Sequence, residues 1–347
     1  MRKLILSGTA LAAAALVVVS LVQPERRASA QSAALERTLL ALLPAETNTL
    51  VGVDVEGVKR APLYRYIEEH SGRELDELAA RTGFDPRRDV EELLIATWAG
   101  QPGVVRRGDS QFLAVGRGRF DAASLGREFR EKKATVENYR GLEVFALDGE
   151  RKRPADRGVL VFLDERTALA GARAAVLRAI DRKLGGGPSL LDNTDLISRA
   201  RSVSGSGQIW AVSQAPGEMA SIAGQQQAGP SSNLGRIFSS MQSSTVAVDL
   251  TDGVALRAAG ACRTAQDAKT LADAARGFVA LGRLAASQKE PEVLSILDSV
   301  MVEERGAELD ISVRVGRQVM EKLLEQDRAR KPVRAVGLDR SRENDVL

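Results

Sequence analysis

Cysteine, histidine and aromatic residues are nearly missing from this 347-residue chain, which has one Cys, one His and 4% Phe, Trp and Tyr together. A lone cysteine, Cys262, cannot close an internal disulfide, so packing must hold the fold even in an oxidising compartment. About 300 residues suffice for that, as one large domain or two smaller ones. One His and one distant Cys do not make a zinc site of three or four nitrogen and sulfur ligands, so no tightly bound metal is expected. Scarce aromatics also leave few stacking platforms for sugars.

The usual nucleotide and hydrolase signatures are absent too. No phosphate-cradling loop or dinucleotide fingerprint occurs. Gly116-Arg117-Gly118 lacks the third glycine and reads as a strand end before a helix cap at Asp121. Ser204-Gly205-Ser206-Gly207 lacks the spacing of a nucleophile elbow and reads as a linker.

The start of the chain has the clearest pattern. Met1-Arg2-Lys3 is basic, Leu4 to Val22 is almost wholly apolar, and Ala28-Ser29-Ala30 precedes Gln31. These are the three parts of a secretory signal peptide, with the small-x-small triplet as its processing site. The alternative is an uncleaved anchor, since the run approaches the roughly 20 residues of a spanning helix. No cysteine closely follows the run, which excludes a lipoprotein anchor. The leader holds four basic residues against Glu25, so the formal charge of +3 vanishes once 1–30 is removed. A neutral mature chain gives no electrostatic case for nucleic acid. Arg127, Arg130, Lys132 and Lys133 are interleaved with Glu128 and Glu131 and read as a solvated helix face.

What remains is α/β patterning. Ala33 to Leu43 reads as a short helix stopped by Pro44, within an N-terminal helix and linker over 31–48. Strands follow at Thr49–Val55, Leu93–Trp98, Gln111–Arg117, near Glu143–Leu147, and at Gly158–Leu163 and Thr167–Gly171. Helical spacing separates them: Leu63 to Ala79, Leu125 with Phe129, and Val176 to Leu184. Gly185 to Gly207 reads as a linker over 185–206. A similar order then recurs, with strands at Gln208–Val212, Thr245–Leu250, Val254–Ala261, Val300–Glu304 and Ala307–Val315. Helices are expected from Pro216 with Met219, Ile222 and Ala223, in a second piece carrying Leu234 to Met241 beyond a mobile glutamine-rich loop at Ala223 to Asn233, behind a capping box at Thr264, and over Val319 to Leu324. Thr251-Asp252-Gly253 and Arg305-Gly306 supply hairpin turns.

The expected fold is therefore α+β, a duplication of two ferredoxin-like βαββαβ units over 49–184 and 207–328. Each is extended by a hairpin arm and a C-terminal helix, with mainly antiparallel sheets under helices. Trp98 and Trp210 should then fall at non-equivalent strands. Residues 329–347 mix charges with few apolar residues and read as a disordered tail.

Single residues yield little chemistry. His70, beside Glu68 and Glu69, reads as a surface histidine. Cys262 ends a mostly apolar run interrupted by Arg257 and reads as a small buried hydrophobe. Asp54 with Glu56 and Asp192 with Asp195 are the acid pairs to test, since two carboxylates suffice for glycoside hydrolysis. Frequent acids make chance pairs common, and Asp192 to Asp195 reads better as a helix cap. Trp98 and Trp210, each at or on a strand, read as packing rather than pocket residues.

Three phrases carry a resemblance: Leu43-Pro44-Ala45-Glu46-Thr47-Asn48-Thr49 running through Val51-Gly52-Val53-Asp54-Val55 to Ala61-Pro62-Leu63, then Gly83 to Asp89, then Ala168-Leu169-Ala170-Gly171. Together they resemble uncharacterised exported proteins of Gram-negative envelopes with a duplicated α/β pattern. The resemblance implies export and brings no activity and no site residues. The expectation is thus a non-enzymatic envelope protein that binds or scaffolds an unidentified protein or ligand through its sheet faces or loops. No catalytic, cofactor-binding or metal-ligating residue is assigned, and no cofactor. The alternatives are a carboxylate-dependent hydrolase and a carrier of an apolar ligand.

Overall fold

Alternation of apolar and polar residues builds one large sheet. Val90–Trp98 is the clearest case, with every second residue buried. The computed structural model describes residues 36–66, 83–98, 111–131, 134–147, 158–214, 240–286 and 291–330, with Glu68, Asp76, Ala79 and Ala80. The leader over 1–30, His70, most of the stretch expected as helix after Tyr66, the segment from Pro216 to Ser239 and the tail beyond Arg330 lie outside them.

In chain order the strands are β1 (Thr49–Asp54), β2 (Val90–Trp98), β3 (Gln111–Gly118), β4 (Val136–Tyr139), β5 (Leu142–Ala146), β6 (Gly158–Phe162) and β7 (Thr167–Ala172). Then come β8 (Ile209–Ser213), β9 (Met241–Asp249), β10 (Val254–Cys262), β11 (Met301–Arg305) and β12 (Glu308–Val315). The helices are α1 (Arg37–Leu40), α2 (Val55–Lys59), α3 (Pro86–Asp89), α4 (Ala122–Glu131), α5 (Arg173–Gly185), α6 (Thr194–Val203), α7 (Ala265–Ala285), α8 (Pro291–Asp298) and α9 (Arg317–Arg330).

All twelve strands form one sheet in the order β11-β12-β10-β9-β8-β1-β2-β3-β7-β6-β5-β4. The α+β class with a mainly antiparallel sheet under helices is thus present. The strand order is not the ferredoxin-like one. That arrangement brings strands back parallel through helical crossovers, whereas here every neighbouring pair is antiparallel. The physical reason is turn chemistry. Tight hairpins join β4 to β5 through Arg140 and Gly141, both at positive φ, β9 to β10 over Gly253, and β11 to β12 over Gly306. The β4 arm was not foreseen. β1 pairs with β8 as well as β2, so the two stretches share one sheet rather than forming two.

The sheet has two faces. On the first, Leu50, Leu94, Trp98, Leu113, Val161, Leu169, Trp210 and Val212 pack under α1, α5 and α6. On the second, Val53, Leu160 and Phe162 pack with Leu125 and Phe129 of α4, where the Phe129 and Phe145 rings stack 4.6 Å apart. Residues 185–206, expected as a linker, contain a capped 3-10 turn at Leu190–Asp192 and α6. Leu190, Leu196, Ile197 and Ala200 there are buried. Asn193 accepts from the Leu196 N–H, so a polar-looking stretch with a good cap becomes a core helix. Met241, expected on a helix, opens β9.

One sheet edge is guarded. β11 is short and carries Glu303, Glu304 and Arg305, and Arg276 of α7 donates to the Val302 carbonyl at 3.0 Å while pairing with Glu304. Charge and a capped carbonyl discourage edge-to-edge pairing. Among the described residues no helix is long and apolar enough to cross a membrane.

Candidate functional site

The helical cover of the first face stops short of the last strands. Cross-strand register fixes what stands there: Thr245, Ala259, Asp310 and Glu303 form one row across β9, β10, β12 and β11. Ala247, Arg257, Ser312 and Met301 form the next. Val203 at the end of α6 and Ser206 close one side, and together these residues line a groove of about 320 Å³. That volume lies at the low end of small-molecule sites. Small Ala, Ser and Thr side chains leave the space open, and the charged residues stand above it.

The charges are arranged in a way the sequence reading missed. Glu303 faces Asp310 directly across the β11–β12 hairpin. Arg257 faces Ser312 and is therefore diagonal to Asp310. Glu303 pairs with Arg305 at 2.7 Å. Among the described residues, the side chains of Arg257 and Asp310 make no hydrogen bond and no ion pair, although Arg257 helps to hold the Asp249 carboxyl below its ordinary range, after the Thr251 bonds. The signal for these residues lay in the turns. Once Arg305 and Glu308 are paired around Gly306, counting outward places Glu303 against Asp310.

The residues singled out by sequence lie elsewhere. Asp54 caps α2, accepting from the Gly57 N–H at 2.8 Å, and Glu56 pairs with Lys59 within that helix. They do not form a carboxylate pair aimed at one point. Asp192 accepts from the Ser189 N–H in a capping box, and Asp195 is bound by Arg199 and Gln214. Those contacts hold the Asp195 carboxyl below its ordinary range, through the Arg199 bond first and the Gln214 bond next. Trp98 and Trp210 are buried in the core of the first face.

A second polar cluster is structural. Glu92 on β2 has a side chain only 8% exposed, and Arg117 on β3 meets it at 2.8 Å and reaches Glu36 at 2.5 Å. Burial pushes the Glu92 carboxyl above the usual carboxylate range, and Arg117 pulls back against it. This network ties the chain before α1 to the middle of the sheet.

Cys262 is buried, and burial with Asp267 nearby raises its thiol pKa, so it stays protonated at neutral pH. Native protein should therefore react slowly with Ellman's reagent and release one equivalent of thiolate colour only on unfolding in guanidinium. Fast stoichiometric reaction of the native protein would contradict the burial. No group of three or more His, Cys, Asp or Glu among the described residues is placed to hold a metal.

No family model matches the sequence, and no curated protein matches it. Among solved structures, crystal form III of TP0453 matches with a TM-score of 0.45 at 10% identity, over 81% of this chain and 96% of that one. Crystal form I of TP0453 matches with a TM-score of 0.45 at 11% identity, over 82% of this chain and 98% of that one. Nothing about this chain's chemistry follows from a likeness of that degree.

Proposed function

We propose that this chain is an exported, non-enzymatic binding protein of the bacterial envelope that holds its ligand on the open first face of β9 to β12. One observation carries the reading. Along β8 to β7 that face is sealed by helices, whereas over the last strands it presents Arg257, Asp310 and Glu303 around small residues in a groove. Export rests on the leader alone. A duplicated origin rests on strand order: β1-β2-β3-β7-β6 runs outward on one side of the β1–β8 seam, and β8-β9-β10-β12-β11 on the other. On that reading the β4–β5 hairpin is an addition to the first unit.

The hydrolase alternative finds less support. Glu303 and Asp310 oppose each other, but both stand exposed in a shallow groove. A carboxylic acid that works as a proton donor needs a desolvated pocket. The apolar carrier is disfavoured by the charges that line the groove.

The groove is tested by ligand-linked stability. A low-molecular-mass extract of the native envelope should raise the melting temperature of the wild-type protein but not of an Arg257→Ser, Asp310→Ser double variant. Equal shifts in both proteins, or none in either, would remove the groove from the function. Export is tested by the mass of protein recovered from the envelope, which should begin at Gln31. A product retaining Leu4 to Val22 would instead make the chain membrane-anchored.

A further inference from the structure

We infer that the groove takes a small zwitterion carrying both a carboxylate and an ammonium group, of the size of a dipeptide. The inference deepens the binding reading above and rests on it. Arg257 offers a planar fork of donors suited to a carboxylate. Asp310 offers an acceptor-only group suited to an ammonium, with Glu303 directly beside it. Neither the Arg257 nor the Asp310 side chain makes a hydrogen bond or ion pair with another described residue, and Arg257 also acts at longer range on Asp249, its diagonal neighbour on β9. A diagonal cross-strand relation sets the two residues roughly 7–8 Å apart, their Cβ atoms somewhat closer. Two extended residues span at most about 7 Å. A dipeptide laid along that diagonal brings its carboxylate to Arg257 and its ammonium to Asp310.

Charge balance selects against simpler ligands. A free anion drawn to Arg257 meets Asp310 and Glu303, and a free cation drawn to the acids meets Arg257. Glu303 is already balanced by Arg305, and Arg257 stands between two diagonal acids, Asp310 on β12 and Asp249 on β9. A molecule with separated charges meets both Arg257 and Asp310, which a simple ion cannot do. Thr245 and Ser312 supply hydroxyls in the same two rows for the backbone groups of such a ligand.

The probe is L-alanyl-L-alanine, added to the full mature chain at neutral pH and followed by isothermal titration. Binding is expected, and it should weaken about tenfold or more in Arg257→Gln and in Asp310→Asn, since each removes one charge-assisted contact. Acetylating the dipeptide's amine or amidating its carboxylate should weaken binding to the wild-type chain by a similar factor. Exchanging the two charges, Arg257→Asp with Asp310→Arg, should restore affinity with the ligand reversed, which mere surface charge would not do. Unchanged melting curves for the single variants separate lost binding from lost folding. No binding of the dipeptide, or equal binding of the blocked forms, overturns the zwitterion assignment. If the envelope extract still stabilises the wild-type protein and not the groove variant, the groove itself stands and only its ligand class is wrong.

Discussion

Replacing Arg117 by methionine should destabilise the protein by about 3 kcal/mol at neutral pH, the lower end for breaking a buried ion pair. The lower end applies because Arg117 keeps 29% exposure and Glu92 only 8%, so water reaches one partner. Methionine fills much of the same space but leaves the Glu92 carboxylate buried with its cation gone. It also frees Glu36 and with it the approach to α1. The pH dependence carries a definite sign. Burial already raises the Glu92 pKa in the folded state, and losing Arg117 raises it further. A carboxyl whose folded pKa lies above its unfolded value costs stability when ionised, and that cost fades as pH falls through the folded pKa. The difference between variant and wild type should therefore shrink from neutral pH toward about pH 4–5, near the ordinary range for glutamate. Urea unfolding at a series of pH values measures it. A difference that stays constant or grows on acidification would mean that Glu92 is not an uncompensated buried charge in the variant. A Glu92→Gln, Arg117→Met double variant should recover part of the loss at neutral pH, since no buried charge remains.

Gly52→Ala should cost about 3 kcal/mol, at the upper end for overpacking. A Cβ at Gly52 would overlap Cε2, Cζ2 and Nε1 of the Trp210 indole. That ring is 2% exposed and lies directly opposite Gly52 on β8, so it has nowhere to move. The position is the seam of the sheet, where β1 meets β8, and a shift there disturbs pairing on both sides. Trp210→Leu alone should also destabilise, by leaving a cavity. The pair should be less harmful together than the sum of the two, because the smaller side chain makes room for the alanine methyl. A double-mutant cycle by denaturant unfolding reads that coupling. Strict additivity would show that the two residues do not share the seam.

Much of the local structure was legible from the sequence because it depends on neighbours along the chain. Val51, Val53, Leu309 and Ile311 alternate with small or polar residues, and β1 and β12 lie there. The Thr264 to Asp267 pattern is that of a cap, and the Thr264 hydroxyl accepts from the Asp267 N–H at the start of α7. Thr251-Asp252-Gly253 is a turn sequence, and Gly253 takes the positive φ that a side chain disfavours. The apolar run before Cys262 marks it as a buried hydrophobe, and it is buried. α6 has no such local signature, because the glycines and serines around it resemble a linker. Only its burial against β8, β9 and β1 shows that Leu196, Ile197 and Ala200 form a core face.

The candidate site was less legible for a different reason. Arg257, Glu303 and Asp310 are ordinary charged residues in sequence, and each lies in its own strand. Glu303 and Asp310 become neighbours through one hairpin, which a reader can count from Gly306. Arg257 joins them only because β10 pairs with β12 across α7 and α8, a contact between distant parts of the chain. The sequence by itself determined the strands, caps and turns, because hydrophobic period and backbone stereochemistry act over a few residues. Which strand lies beside which, that β1 and β8 fuse twelve strands into one sheet, and that one face is left open over β9 to β12 were decided only by tertiary structure. Those outcomes depend on how helices divide the apolar area of a whole sheet, and no short window of sequence contains that division.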